Sequence, residues 1–428
     1  MFAPICLKPA FSKARADAGF DVQYFGSADD NISNSLEERE YSLAVVDDDM
    51  WLAFLDAERK HLGFFPPPYD QCATPYIHAI MKTLGEFQPD VVVYGLFPEV
   101  AVASAIQGWR TLSYYPLPPC IFRAWVRNRM NNDCSTNDTP PASKPTNPWK
   151  VIQDAAAACG LELPPTTTIQ SSQDRNAVFF KAIQPHHTIV CDFESYYENE
   201  ELPSDVSVVG PIISSSTRRD ENDVDEIESF LKPARNDKLV APVKVLLTMG
   251  STGDSSSFLE GLKALCFAEV GSFLSVVVIP GTVLRTSGED DAVLQTASSR
   301  DDILLVNKFV NARLVMPLVD VVLCHGGQQT IQTALASGVP IVGRPGHYEQ
   351  LYNLDNVERC QAGVCITPDN WKQENIRKEL LKVGRESLMY RDGAARLQAQ
   401  FLNSIGVQRA GSKIMEMIYS EQQKKAAA

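Results

Sequence analysis

The sequence predicts an α/β protein built on parallel sheets, and three observations carry this prediction. Short apolar runs alternate with helix-like segments from residue 244 onward, the pattern of a parallel sheet whose crossovers are helices. The first half of the chain repeats this rhythm less regularly. The 428 residues are 44% hydrophobic and 21% charged, a composition that supports folded domains and excludes a disordered, collagen-like or coiled-coil chain.

The second half of the chain has the clearer strand pattern. Apolar runs bounded by turn or polar residues predict strands at 244–248, 273–279, 303–306, 319–324 and 340–343. Helical patterns fill the intervals, and two closing helices are predicted at 375–404 and 411–423. Unbroken apolar runs of this kind are typical of strands that are buried on both faces of a parallel sheet.

The first half has a looser pattern of the same kind. A helix-like segment at 11–18 ends at Gly19 and leads into a strand pattern at 20–25. Further strands are predicted at 90–94, 188–191 and 206–209. A helix is predicted at 99–107, and a loop rich in Asn, Ser, Thr and Pro at 131–148.

A change in composition after residue 213 marks a domain boundary. Residues 214–238 are polar and charged apart from one short helical pattern at 224–231, which is typical of a linker. We therefore expect a first domain at 1–213 and a second domain at 239–405. The remaining segment, 406–428, is expected to form a helix that packs back toward the first domain.

The charge of the chain restricts its partners. It has 39 basic and 53 acidic residues and a net charge of −14. Such a chain repels nucleic acid and anionic membrane surfaces, so neither is expected as a partner. A local phosphate site remains compatible with this charge, because backbone dipoles bind phosphate inside acidic proteins as well.

The cysteines and the apolar segments bear on location. Ten cysteines occur without a C-x-x-C pair and at irregular spacing, which favours reduced thiols over a disulfide framework or a zinc site. We find no signal-peptide pattern, and no stretch approaches the roughly 18 apolar residues of a transmembrane helix. The sequence therefore predicts a cytoplasmic protein without a transmembrane segment.

One segment, 320–350, carries most of the chemical information. A buried strand runs into His325, Gly326 and Gly327, and a helix starts near Gln328. Ligands of parallel sheets bind at the carboxyl ends of strands, and a helix start presents unpaired N–H groups and a partial positive charge. Glycines let the backbone approach a ligand closely. The segment therefore predicts a diphosphate site, with a carboxylate and an amide at 349–350 suited to sugar hydroxyls.

The same segment resembles the signature of the family-1 glycosyltransferases, nucleotide-sugar-dependent enzymes of GT-B fold. The family pattern is approximately H-[CG]-G-x-[NG]-[ST], a helix, G-V-P, P and [DE]-Q-x-x-N. The matching residues are His325, Gly326, Gly327, Gln328, Gln329, Thr330, Gly338, Val339, Pro340, Pro345, Glu349, Gln350 and Asn353. The closing segment around 390–397 is similar to the macrolide-type branch. The resemblance is strong over about 244–418 and weak but collinear before that.

The resemblance implies two Rossmann-like domains facing a cleft. The N-terminal domain, expected to lack its first strand, would bind the acceptor, and the C-terminal domain would bind the nucleotide sugar. The implied reaction moves a hexose, expected to be glucose, from a UDP-sugar to a hydroxyl of a small lipophilic acceptor with inversion. The UDP-sugar is a co-substrate, and neither a cofactor nor a metal is implied.

The resemblance also implies roles for individual residues. His325 would donate to a phosphate oxygen, and Glu349 and Gln350 would bind sugar hydroxyls. Gly327, Gln329 and Thr330 would hold the diphosphate at the helix start. Gly250 and Ser251, in the loop after the first strand of the domain, would flank it. Phe309 would stack on the base, and Val310 would offer it backbone contacts.

The sequence departs from the family pattern at four places. Asn311 and Ala312 replace a Pro-Gln pair, and Thr333 stands where many members have a ribose-binding glutamate. Inverting members use a histidine after the first strand as general base, oriented by an aspartate after a later strand. This chain has no histidine before residue 61, and Gly95 stands where the aspartate is expected.

Three explanations of the absent base are open. The sequence is an N-terminally incomplete enzyme, or it uses another base such as Glu99, His61 or His78, or it binds a nucleotide sugar without transferring it. A GT-B epimerase or hydrolase acting on sugar nucleotides is the nearest enzymatic rival. Loops at 61–80 and 114–150, which contain aromatic and proline residues, are candidate walls of an acceptor pocket.

Overall fold

A computed structural model describes most of the chain. The described residues are 23–26, 42–45, 69–95, 98–115, 148–163, 178–213, 221–232, 241–250, 255–279, 289–307, 310–346 and 348–427. The predicted helix at 11–18, His61, most of the loop at 131–148, Ser251 and Phe309 lie outside these residues. So do residues 1–8, where the sequence analysis looked for the first strand of the N-terminal domain.

The elements follow one another in the alternating order of an α/β protein. The strands are β1 Gln23–Gly26, β2 Ser42–Val45, β3 Val92–Tyr94, β4 Thr111–Tyr115, β5 His187–Val190, β6 Val206–Val208, β7 Val243–Thr248, β8 Phe273–Val278, β9 Ile303–Val306, β10 Val321–Cys324, β11 Ile341–Gly343 and β12 Gly363–Cys365. The helices are α1 Tyr69–Phe87, α2 Pro98–Gln107, α3 Pro148–Ala158, α4 Glu221–Leu231, α5 Ser255–Cys266, α6 Glu289–Ser298, α7 Ala312–Val315, α8 Gln328–Ala336, α9 Tyr348–Arg359, α10 Gln373–Leu381, α11 Leu388–Leu402 and α12 Gly406–Ala427.

The chain forms two compact units. Unit 1 comprises 1–191, 200–212 and 405–428, and unit 2 comprises 192–199 and 213–404. The short segment 192–199 thus belongs to unit 2, although the chain on either side of it belongs to unit 1. The last helix, α12, is part of unit 1.

Unit 1 contains a four-stranded parallel sheet in the order β3-β4-β5-β6 and a separate parallel pair, β1-β2. One core cluster joins β3 to α1, α2 and α3 through buried residues such as Ile77, Val102 and Ile152. A second cluster joins β4 and β5 to α12 through Leu112, Ile189 and the helix residues 410, 414, 417 and 418. That spacing is one face of an amphipathic helix.

Unit 2 contains a six-stranded parallel sheet in the order β12-β11-β10-β7-β8-β9. Every residue of β10 is buried, because both faces of this central strand are covered. One core cluster packs β7, β8 and β10 against α5 and α10 through residues such as Leu247, Phe258 and Ile376. On the sheet's carboxyl edge lie the loops after β7, β9, β10 and β11.

The mixed α/β fold with parallel sheets is confirmed. The five strands predicted in the second half are all present within two residues of their predicted ends. The prediction of one closing helix at 375–404 was wrong, since a π-helical turn, Lys382–Glu386, separates α10 from α11. Gly384 packs so tightly against β7 that an added Cβ would lie 2.5 Å from the Val243 side chain. The π-helical turn is thus shaped by its packing against β7.

The last helix is also longer than the helical pattern at 411–423. It begins at Gly406 rather than at 411 and continues through Gly411. Glycine weakens a helix, which favoured the later start, but packing of the apolar face of α12 on unit 1 outweighs that cost.

Candidate functional site

The carboxyl edge of the sheet in unit 2 brings the predicted histidine against two glycines. Strands β7 and β10 are neighbours, with Cys324 paired to Thr248, so the loops that follow them lie side by side. A Cβ built on Gly250 would lie 2.6 Å from the His325 ring, and one built on Gly327 would overlap that ring. The imidazole, 7% exposed, is therefore held between two stretches of backbone that only glycine permits.

The glycine turn itself requires a special backbone. Gly326 has φ of +88°, a conformation that L side chains rarely adopt, and an added Cβ would lie 2.8 Å from the Leu354 side chain. The turn therefore lies directly against α9. The Cys324 thiol before it is fully buried, and burial raises its pKa to about 12, so it is part of the strand core and not a nucleophile.

Helix α8 begins at Gln328, as predicted. Its N-cap, Gly327, has extended backbone angles and no side chain to cap the helix, and the first intrahelical hydrogen bond runs from Ile331 N to Gly327 O, 3.0 Å. The N–H groups of Gln328, Gln329 and Thr330 thus have no acceptor within the helix. All three residues are half-buried. The Gln328 N–H is bonded to the Glu349 carboxylate, so the N–H groups of Gln329 and Thr330 and the positive end of the helix dipole are the ones that can face an anion.

A carboxylate lies at this helix start. Glu349 accepts a hydrogen bond from the Gln328 backbone N–H and another, 2.6 Å long, from Asn353 Nδ2 to its Oε1. Burial raises the pKa of Glu349 to about 7, while the two hydrogen bonds favour the charged form and oppose that shift. The first turn of α9 therefore places a carboxyl group directly beside the backbone N–H groups at the start of α8.

Gln350, predicted to bind a sugar, has a different set of contacts. Its side chain is 2% exposed, and its Oε1 accepts a hydrogen bond of 2.7 Å from Gly346 N. Gln350 therefore holds the loop between β11 and α9. Of the predicted pair of sugar-binding residues, Glu349 is the one whose side chain bonds to the start of α8.

The remaining predicted residues of this site are spread along the sheet edge. Val310 is half-buried after β9, and Asn311 caps α7 by accepting a hydrogen bond of 3.2 Å from Arg313 N. Asn311, the departure from the family's Pro-Gln, thus starts a short helix. Thr333 is buried, and its Oγ1 donates to Gln329 O within α8 at 2.7 Å.

The sequence reasoning missed a second buried carboxylate beside α8. Asp192 is 2% exposed and accepts hydrogen bonds from Phe193 N at 2.9 Å, Tyr197 Oη at 3.0 Å and Gln332 Nε2 at 3.2 Å. Burial raises its pKa to about 7, and the charge of Glu349 adds to that shift. An aspartate placed directly after an apolar strand was the available signal, but its partner Gln332 lies 140 residues later.

The structure places Glu99, the proposed replacement base, in the core of unit 1. Glu99 is 1% exposed at the start of α2. Burial, followed by the charge of Glu99, raises the pKa of the neighbouring Tyr76 phenol well above its usual value. The role of Glu99 as a general base stays a prediction. His78 lies exposed on α1.

Gly95, which replaces the expected aspartate, has a packing role. A Cβ at this position would lie 3.0 Å from the Tyr114 ring, so the aromatic side chain fills the space that a larger residue would need. In the described part of unit 1, glycine therefore stands at the position where the aspartate of the family's catalytic pair was sought, and the position sought for the histidine lies outside the described residues.

Comparisons with known proteins agree with this architecture. Residues 245–407 match the glycosyltransferase family 28 C-terminal domain. The solved structure of a UDP-glucosyltransferase from Polygonum tinctorium superposes with a TM-score of 0.64 at 15% identity, covering 97% of this chain and 96% of that one. The calicheamicin glycosyltransferase CalG4 superposes with a TM-score of 0.61 at 16% identity, covering 96% and 94%. The fold is that of the GT-B glycosyltransferases.

A curated relative supports the same class of activity. A PGL/p-HBAD biosynthesis rhamnosyltransferase from Mycobacterium bovis (strain BCG / Pasteur 1173P2) is 25% identical over 343 residues, which are 76% of this chain and 67% of the relative. Together with the domain match, this supports a glycosyltransferase with a nucleotide-sugar donor. No helix in the described part of the chain has both the length and the apolar character needed to cross a bilayer.

Proposed function

We propose that this chain transfers a hexose from a UDP-sugar, glucose in the first instance, to a hydroxyl of a small lipophilic acceptor with inversion, as a cytoplasmic enzyme. The observation that carries the proposal is the His325–Gly327 turn leading into the start of α8, where the N–H groups of Gln329 and Thr330 have no acceptor within the helix. The narrower resemblance to family 1 and its macrolide-type branch is part of this proposal.

The proposed donor site follows the sheet edge. His325 and the N–H groups at Gly327, Gln329 and Thr330 would hold the diphosphate, with Gly250 and Ser251 flanking it. Phe309 and Val310 would contact the base. Val310 follows β9, three strand spacings from β10, or about 14 Å at ~4.8 Å per strand. That separation suits an extended ligand with its phosphates at α8 and its base near β9.

The chemistry proposed for this site is stabilisation of a leaving diphosphate. Negative charge grows on the phosphate oxygens as the bond to the anomeric carbon breaks, and the N–H groups and dipole of α8 are already oriented toward it. These donors provide the neutralisation, so we propose no metal or other cofactor. Glu349 would accept a hydrogen bond from a sugar hydroxyl. Glu99, at the start of α2, is the base proposed to take the proton of the acceptor hydroxyl.

A second class of donor is open to the same test. The relative that matches 76% of this chain is named as a rhamnosyltransferase, so a deoxyhexose donor is the rival to glucose. Two rival functions are donor binding without sugar transfer, and an epimerase or hydrolase activity that needs no acceptor.

The test is a thermal-shift titration of the wild type and His325→Ala with UDP, UDP-glucose, UDP-galactose, UDP-N-acetylglucosamine, TDP-glucose and TDP-rhamnose. A donor present at 100 times its dissociation constant stabilises the protein by about 2.7 kcal/mol, a rise of a few degrees in Tm. We expect one donor to shift the wild type and His325→Ala to lose that shift.

Product analysis then separates the functions. A transferase releases UDP or TDP in proportion to a glycosylated acceptor, a hydrolase releases free sugar, an epimerase yields an isomeric sugar nucleotide, and a silent binder does none of these. The absence of a shift with any donor would refute the proposed function.

A further inference from the structure

One buried amide, that of Asn353, links the glycine turn at 325–327 to the Glu349 carboxylate beside α8. Asn353 lies on α9 with 3% of its surface exposed. Its Nδ2 donates to Gly326 O, in the glycine turn, at 3.1 Å, and to Glu349 Oε1 at 2.6 Å. A single NH₂ group thus holds both the turn that presents His325 and the carboxylate beside α8.

Both acceptors depend on that amide. A buried carboxylate needs hydrogen-bond donors to remain charged, and Glu349 has Asn353 in addition to the Gln328 N–H. The carbonyl of Gly326 belongs to a residue with φ of +88°, whose position against Leu354 leaves it little space to move. Replacing the amide would remove one of the two hydrogen bonds that orient Glu349 and leave the one from the Gln328 N–H, while the turn stays packed on α9.

We infer that Asn353 is the positioning residue for the sugar end of the donor site. It sets the orientation of Glu349 relative to the helix start without itself contacting the donor. The inference rests on the proposed function, because it presumes that a sugar nucleotide binds at α8. The expected consequence is selective: loss of the amide weakens recognition of the sugar more than recognition of the nucleoside diphosphate.

Calorimetric titration with UDP and with UDP-glucose provides the test. For Asn353→Ala we expect affinity for UDP-glucose to fall at least tenfold relative to the wild type, and affinity for UDP to fall less than threefold. The control is Asn356→Ala, which removes another buried amide of α9, one that accepts from Arg359 Nη2 at 2.8 Å and lies 1% exposed. This variant should keep the wild-type ratio of the two affinities.

A second variant has a pH signature that general damage to the fold would not produce. In Asn353→Asp an acceptor replaces the donor and faces the Gly326 carbonyl and the Glu349 carboxylate, with Asp192 as the further acid group near Glu349. Its affinity for UDP-glucose, divided by the wild-type value at the same pH, should rise as pH falls from 8 to 5.5, since a protonated side chain can donate again. Asn353→Ala should show no such recovery.

The outcomes separate this inference from the proposed function. If the wild type binds neither UDP nor UDP-glucose, the proposed function fails and this inference fails with it. If the wild type binds both and Asn353→Ala weakens them equally, or Asn353→Asp shows no recovery at low pH, the positioning role of Asn353 is refuted while the donor site stands.

Discussion

The environment of His325 explains why three glycines surround it. Gly250 and Gly327 both lie against the Nε2 and Cε1 atoms of the imidazole, and Gly326 supplies the positive φ that turns the chain between strand and helix. The ring is therefore fixed by backbone, which moves less than side chains do. A donor group held in this way needs little reorganisation when a phosphate arrives.

Adding a methyl group beside the ring should be costly. In Gly327→Ala the new Cβ overlaps the imidazole, so we expect the free energy of unfolding to fall by about 1–3 kcal/mol, the usual cost of overpacking. Chemical denaturation measures this loss. In the His325→Ala background, where the clash is absent, Gly327→Ala should cost much less than it does in the wild type.

The matched control for this prediction is Gly411→Ala. Gly411 lies inside α12 with no atom within 4 Å of an added Cβ, so alanine there should stabilise the protein by roughly 0.5–1 kcal/mol. Equal effects of alanine at 327 and 411 would contradict the description of the ring as tightly enclosed.

Among the elements, α8 is held in place by contacts with two other parts of unit 2. Its start is contacted by Glu349 from α9, and its middle is tied to the segment 192–199 through Gln332 and Asp192. Arg359 of α9 also donates to the backbone carbonyl of Tyr196. The helix that carries the proposed diphosphate site is thus anchored by two other parts of unit 2.

The buried acids of this region predict a pH dependence of stability. The folded pKa of Asp192, about 7, lies above its ordinary value, so between about pH 4 and pH 7 the folded protein holds a proton that the unfolded chain has released. Stability due to this group is present at low pH and is lost as pH rises toward 7. Glu349, with a pKa of about 7, acts in the same direction.

Asp192→Asn should reduce that dependence. The amide keeps an oxygen for Phe193 N and Gln332 and carries no charge, so the drop in unfolding free energy between pH 5 and pH 8 should shrink by roughly 1–3 kcal/mol. Urea denaturation at both pH values measures the drop. Asp392→Asn, at an exposed site on α11, should leave it unchanged. If the drop in Asp192→Asn equals that of the wild type, the raised pKa of Asp192 in the folded protein is contradicted.

For the whole molecule, the main feature is that the chain returns to unit 1 at its end. After unit 2 is complete, α12 covers one face of the sheet in unit 1 with Ala410, Ile414, Met417 and Ile418. The folding of unit 1 therefore depends on residues that lie far along the chain from the end of β6. The two units cannot be separated by a single cut in the chain without removing that cover.

A pair of substitutions on α12 tests this dependence. Ile414 is 1% exposed, so Ile414→Ala should lower the stability of unit 1 by about 2–5 kcal/mol through lost burial and a cavity. Tyr419 is 57% exposed on the same helix, and Tyr419→Ala should cost less than about 1 kcal/mol. Hydrogen exchange should become faster in β4 and β5 of the first variant and stay unchanged in β7. Faster exchange in β7 alone would contradict the assignment of α12 to unit 1.

The pattern of neighbouring residues in the sequence was enough to predict many of the strands and helix starts. The strands of unit 2 are continuous apolar runs because both faces of the sheet are buried, and the start of α8 is marked by its two glycines. Both signals depend on residues that are adjacent in the chain, so they can be found without knowledge of the fold. The break at Lys382–Glu386 could not be found in this way, since it follows from how Gly384 meets Val243.

The candidate site also combines features that the sequence predicts with features that only the folded structure shows. The turn at 325–327, the helix start and the presence of a carboxylate at 349 follow from the sequence, because they depend on residue type and short spacing. The contacts that give these residues their tasks join distant segments: Asn353 to Gly326, Gln332 to Asp192, and the His325 ring to Gly250. Burial, which raises the pKa of Asp192 and Glu349, likewise arises only when the sheets and helices pack, because desolvation depends on every neighbour in space.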